Sequence, residues 1–408
     1  MISFDPTEDQ KLMVESVGTF ARTALRPKIR EFEKDRGISE VVRKTAHELG
    51  LGLVGLPEKV GGSGLGMTTA VLLEEEISWG DPAAGFAFGG PGAFGTALLE
   101  LGTTEQATAA LEPFTTEGGH LRFGAVAWGE KKANKERAGF VTTATKTDAG
   151  WKLDGAKAYV VNADRADHFV VFAQVDAAAG WRGLGAFLVD KSAPGLKILA
   201  RETTLGLDAV SFGGIELAGV VVPDSARLLG GADFTAATVR FFARHAVIVA
   251  ARGVGLSRAA FDVTREYVDG RKAFGKPIGH FQAVAFTIAD RAMDVDAGRG
   301  LVWRAAAEWD AFDRGEGDAN ECLLRSAQAI AFVHEAAMRC GDDGVQLHGG
   351  AGFMRDFPVE KFMRDAKQIG LCGMTAEHAD QLAGAVALGV PVDPGLCLPT
   401  PETQNAFV

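Results

Sequence analysis

Gln346-Leu347-His348-Gly349-Gly350-Ala351-Gly352-Phe353, running on through Phe357-Pro358-Val359-Glu360-Lys361-Phe362-Met363-Arg364-Asp365-Ala366-Lys367, is the most informative stretch of this 408-residue chain. Its adjacent glycines can present backbone N–H groups with no Cβ in the way, which suits close approach to an anion. Upstream lies a second such segment, Arg271-Lys272-Ala273-Phe274-Gly275-Lys276-Pro277-Ile278-Gly279-His280-Phe281-Gln282, whose guanidinium can give a charge-assisted contact. Around both segments apolar residues keep a helical period from Phe234 to about Leu388.

Toward the N-terminus the pattern changes. Trp151-Lys-Leu-Asp-Gly, Tyr159-Val-Val-Asn, Phe169-Val-Val-Phe-Ala and Ala186-Phe-Leu-Val are short β-rich runs punctuated by glycine and aspartate, as antiparallel strands joined by turns should be. Leu196–Ala200 and Gly214–Val222 read as further strands. Before residue 121 the helical period returns, predicting helices over Glu8–Lys34, Val41–Leu49, Met67–Trp79, Pro91–Leu101 and Glu105–Phe114. The expected class is α+β: an N-terminal helical domain (1–120), a central antiparallel β-domain (121–232), a C-terminal four-helix bundle (233–390) and a Pro-rich tail (391–408).

With 47% hydrophobic residues the chain can build a large core without staples. A net charge of -11 argues against nucleic acid or an anionic membrane surface as partner. Cys322, Cys340, Cys372 and Cys397 show neither a CxxC pair nor metal-ligand spacing, so no metal site is expected and a reducing cytoplasm is the expected location. The N-terminus shows no signal peptide, and the most apolar stretch, Ala83–Leu99, carries too many glycines for a membrane span.

Taken in order, the two opening segments resemble the acyl-CoA dehydrogenase family. Weaker pieces agree: Leu56-Pro57 with Gly61-Gly62-Ser63-Gly64, Leu101-Gly-Thr-Thr-Glu-Gln106, and Ala186-Phe-Leu-Val-Asp190 with Pro194-Gly195. The resemblance covers nearly the whole chain. It implies FAD as cofactor, an acyl-CoA or acyl-carrier thioester as substrate, and an oligomer in which Arg271, Phe274, Gln282, Gln346, Gly349 and Gly350 reach a neighbouring subunit's flavin. Thr375 is a further cofactor-binding candidate. Read without the resemblance, Arg271 and Lys272 are a solvated helix end and Gly349-Gly350 an ordinary turn.

The resemblance also implies a carboxylate base opposite the flavin, and here the pattern breaks. In the commonest subgroup the glutamate stands six residues beyond Arg-Asp-Ala-Lys, a position held here by Gly373. A second subgroup keeps it ten residues before a Gly-Leu pair; counting back from Gly255-Leu256 gives His245. A histidine can act as a base, and a helix-surface or interface histidine is the plainer alternative. Ala246 replaces the arginine usual after that position. Helical spacing is expected to turn Glu377 and His378 away from Gly373. The family's flavin-lining Thr-Glu-Pro-Gly-x-Gly-Ser-Asp loop falls on Ala127–Asn134, with a lysine pair at Lys131-Lys132, and its Trp-Ile-Thr segment on Tyr159-Val160-Val161.

Residues that would serve a neighbour's flavin are thus retained, while those for the chain's own flavin are eroded. Three functions are compatible: a flavoprotein acting on an acyl thioester with a non-standard or absent base; a non-catalytic subunit completing the FAD site of a homologous dehydrogenase in a hetero-oligomer; or a flavin monooxygenase of the same fold. An assembly of at least a dimer is expected in each case.

Overall fold

The computed structural model of the chain describes residues 5–131 and 138–397. Helices come first: α1 (Glu8–Phe20), α2 (Ile29–Asp35), α3 (Glu40–Glu48), α4 (Met67–Gly80), α5 (Ala84–Ala87), α6 (Gly92–Leu101) and α7 (Thr104–Thr115). Capping boxes, Thr7 with Gln10 and Thr103 with Gln106, fix the starts of α1 and α7. The single helix expected over Glu8–Lys34 is broken by a π turn at Ala21–Leu25 and a 3-10 turn at Arg26–Lys28. Pro27 is the physical reason, having no N–H to return to the carbonyl four residues back.

The middle of the chain forms β1 (Gly124–Ala127), β2 (Thr143–Thr147), β3 (Gly150–Val161), β4 (His168–Gln174), β5 (Leu184–Asp190), β6 (Leu196–Ile198), β7 (Phe212–Val222) and β8 (Arg227–Leu228). Their order is β6-β7-β3-β2-β4-β5-β8, with β1 also on β4. Pairing is antiparallel except that β1 and β2 meet β4 in parallel. β3 fuses two runs that Asp154-Gly155 separates in the sequence. Gly155 sits at φ 143°, against Thr142, and the register to β7 shifts there and again between Lys157 and Val160. What reads as a turn is a bulge.

β4 is buried on both faces. Phe169 and Val171 enter the sheet's own core with Phe187 and Ile215, while Val170 and Phe172 join the main core. Phe172 meets Phe241 and Phe242 at 6.0 and 5.9 Å, which docks the sheet on the next element. That element is α8 (Phe234–Gly270), capped by Asp233. A small hairpin, β9 (Lys272–Ala273) and β10 (Lys276–Pro277), leads to α9 (Gln282–Asp313), α10 (Ala319–His348), α11 (Val359–Ile369) and α12 (Ala376–Ala387). α8, α9, α10 and α12 form the bundle, α11 packs on α8 and α10, and α4 lies along α8.

A buried charge cluster ties the three regions. Lys361 of α11 donates to Asp365 at 2.5 Å and lies 3.5 Å from Asp81, just past α4. Asp365 also accepts the Leu207 N–H from the loop between β6 and β7, at 2.6 Å. Despite full burial, the two carboxylates hold Lys361 above its ordinary value, at about 12. The four cysteines are free and buried, and no described helix is long and apolar enough to cross a membrane.

Candidate functional site

A cavity of about 580 Å³ lies where the three regions meet, within the range of small-molecule sites. Its walls come from the glycine-rich segment after α4, from β1 and the loop beyond it, from β3, from α8, and from the turn between α11 and α12. His245 lies on α8, where its ring stacks on Phe241 (6.2 Å) and meets Trp128 edge-on (6.1 Å). It makes no side-chain hydrogen bond to the described residues. Burial, and then the nearby charge of Arg252, push it down to about 3. Its imidazole is therefore neutral at physiological pH.

Gly373 faces His245. A Cβ built there would lie 3.5 Å from Val249, 3.6 Å from His245 Cδ2 and 3.9 Å from Ile330, ordinary contact distances for a Cβ. The fold thus brings together two positions 128 residues apart that the sequence flagged separately. Gly373 holds φ +69°, a conformation that suits glycine.

Thr375 lines the same cavity and caps α12. Its Oγ1 lies 2.7 Å from His378 Nδ1, and His378 is also in the cavity wall. The expectation that helical spacing turns His378 away is corrected: α12 begins only at Ala376, so residues 373–375 belong to a turn and no helical period links them to 378. Glu377 is exposed.

Trp128 and Tyr159 contribute to the wall, as do Gly129 and Val161. Glu130 turns away: it accepts from Lys157 at 2.9 Å and from the N–H groups of Val141 and Thr142 at 2.7 and 2.9 Å. Lys157 is fully buried beneath the Phe140 ring, 3.5 Å from its centroid, and desolvation lowers it to about 8 even beside Glu130. Lys131 pairs with Glu202. Lys132, Ala133 and Asn134 of this loop lie outside the described residues.

Arg252 escaped the sequence reading. It follows His245 by two helical turns, so both face one way. The side chain is 7% exposed, lies over Phe86 and donates from Nε and Nη2 to Glu74 at 2.8 and 2.9 Å. The available signal was a lone arginine in the otherwise apolar run Ala246–Leu256.

Arg271, Phe274, Gln282, Gln346, Gly349 and Gly350 are exposed, and none lines the cavity. Phe274 is 97% exposed, and Gly349 takes φ +56°. Their two segments are pinned to each other: Tyr267, one turn before Arg271, stacks on His348 at 4.1 Å and donates to its carbonyl at 3.3 Å.

Comparison with known proteins gives three family matches: residues 7–118 to the acyl-CoA dehydrogenase N-terminal domain, 125–220 to the middle domain and 234–377 to the C-terminal domain. An acyl-CoA dehydrogenase of Bacillus subtilis is 32% identical over 364 residues, covering 88% of this chain and 93% of that protein. Butyryl-CoA dehydrogenase from Megasphaera elsdenii superposes with a TM-score of 0.85 at 27% identity, covering 95% of this chain and 100% of that one. The FAD complex of PigA superposes with a TM-score of 0.84 at 25% identity over the same shares.

Proposed function

Because this chain belongs to the acyl-CoA dehydrogenase family, we propose that its cavity places an acyl thioester beside FAD, and that His245 receives the α-proton in place of a carboxylate. One observation carries this reading: a side chain leaving position 373 would run against the His245 ring at 3.6 Å. That contact supports a reading in which the imidazole borders the space a glutamate at 373 would enter. The surroundings fit a flavin. Trp128 and Tyr159 supply flat walls, and the N-terminus of α12 at Thr375 supplies hydrogen-bond donors. Arg271, Gln282, Gln346 and the Gly349-Gly350 amides of a neighbouring copy would hold the pyrophosphate end. When bound, FAD supplies the hydride acceptor.

The chain's own residues do the rest. His245 offers an unprotonated ring nitrogen, kept so by burial and by Arg252. Phe241 and Trp128 exclude water from it. A base with so low a proton affinity is weak, so a slow α-proton transfer is expected.

The pH dependence follows. The basic form of a group lowered to about 3 is fully present above about pH 4, so anaerobic single-turnover rates should stay flat from pH 8 to pH 5. An ordinary histidine near 6.5 would lose roughly thirtyfold over that range. A break within that range would move the base to another group, with His378 next in line.

A second reading has one observation in its favour. Glu130 is folded into the Lys157 pair and Trp128 occupies the cavity wall, whereas the surface set around Arg271 stands preformed. A non-catalytic subunit serving a homologous dehydrogenase's flavin would show that asymmetry. The chain purified alone should carry about one flavin per subunit on the first reading and none on the second. In whichever assembly binds flavin, Arg271→Ala should raise the flavin dissociation constant about ten- to a hundredfold, the worth of one charge-assisted contact. An unchanged constant would leave Arg271 a surface charge.

A further inference from the structure

We infer that the acyl group this cavity accepts carries a neutral oxygen acceptor, such as a ketone, amide or hydroxyl oxygen, that hydrogen-bonds to Arg252. The inference rests on the thioester reading and narrows it. Arg252 and His245 are 6% and 7% exposed, and both line this cavity from one face of α8. Glu74 takes the arginine's Nε and Nη2, while Nη1 makes no hydrogen bond to the described residues. His245 likewise keeps both ring nitrogens free of the described residues. A brace between α4 and α8 would need only the two bonds to Glu74. A donor left over in the wall of a ligand cavity carries a large desolvation cost unless something in the cavity accepts from it.

Phe86, on whose ring Arg252 lies, Val126, Val161 and Phe212 give the wall apolar stretches, beside polar side chains that include Asn162, Gln368 and Thr375. A purely aliphatic acyl chain would leave the Arg252 nitrogen unmatched against hydrocarbon. Charge balance then selects the kind of acceptor. Arg252 and Glu74 already cancel, so a carboxylate would bring an unpaired negative charge next to Glu74 in a dry site, which is strongly disfavoured. A neutral oxygen adds no net charge and meets the positive end of the pair.

The test is anaerobic calorimetry on the purified full-length protein with shape-matched thioesters. 4-Oxopentanoyl-CoA is compared with 4-methylpentanoyl-CoA and 5-oxohexanoyl-CoA with 5-methylhexanoyl-CoA, with glutaryl-CoA as the anionic probe. At least one oxo thioester should bind about tenfold or more tightly than its methyl counterpart, and glutaryl-CoA more weakly than that oxo thioester. In the paired variant Arg252→Gln with Glu74→Gln, which leaves no buried charge alone, the oxo-to-methyl ratio should fall to near one. Absence of an oxo preference in both pairs overturns the inference while leaving the thioester reading intact. So does a preference that survives the paired variant, or tightest binding of glutaryl-CoA. If no thioester binds at all, the thioester reading itself fails and the inference falls with it.

Discussion

Lys361→Met is expected to cost about 3–5 kcal/mol of stability, the usual penalty for removing one partner from a buried charge cluster. Asp81 and Asp365 are both fully buried, and Lys361 is the cation between them. Asp81 Oδ1 accepts the Ala83 N–H at 2.7 Å and lies 3.5 Å from Lys361 Nζ, while Oδ2 has no hydrogen-bond partner, so the lysine's charge is the carboxylate's main compensation. Removing it leaves two carboxylates in a dry site, and Asp365, which burial already holds above the ordinary carboxylate range, loses the cation that opposes that rise. The sign of the pH effect follows. A carboxyl group whose folded pKa lies above its unfolded value destabilises the fold when ionised, so the variant's deficit should shrink as pH falls from 7 toward 5. Urea midpoints of wild type and variant across that range check both statements. The triple variant Asp81→Asn, Lys361→Met, Asp365→Asn removes the charges together and should recover part of the loss. A deficit below about 1 kcal/mol at pH 7 would mean that water already reaches the cluster.

Lys361 and Asp365 also show what the sequence could and could not convey. Phe357–Lys367 was legible as a family segment with Gln346–Phe353 and Arg271–Gln282, while the switch between helical and β-rich periods placed helix, sheet and bundle in order. Its physical duty, holding α11 to α4 and to the loop at Leu207, depends on Asp81 and Leu207, which lie far away in the chain. No local pattern could have linked them. The same holds within the site. His245 and Gly373 were each found by counting from a neighbouring motif, but their contact arises only when α8 packs against the α11–α12 turn. His378 was misplaced because a helical period was extended across a turn that Thr375 caps. Asp154-Gly155 was misjudged because glycine serves bulges as readily as turns. Arg252 was passed over because an arginine on a long helix is usually solvated, and only the packing of α4 makes it a buried, Glu74-paired wall of the cavity.

A comparably large effect is expected at His245. General base catalysis contributes about 10²–10⁴-fold, so His245→Ala should slow oxidation of a saturated acyl thioester by at least about a hundredfold. Gly373→Glu, made in the His245→Ala background, should return part of that rate by restoring a carboxylate at the usual position. Its Cβ would be in ordinary contact with Val249 and Ile330 at 3.5 and 3.9 Å, and removing the His245 ring, 3.6 Å away, opens space beyond it. The backbone at φ +69° sets a strain cost of roughly 1–2 kcal/mol, which bears on stability more than on proton transfer. The direct test is anaerobic mixing of flavin-loaded wild type and His245→Ala with a panel of short, medium and branched saturated acyl-CoAs, following flavin absorbance at matched flavin and thioester occupancy. The predicted result is slow bleaching in the wild type and a rate at or below about one hundredth of that in His245→Ala. Equal bleaching rates in the two proteins would contradict the assignment of the base to His245.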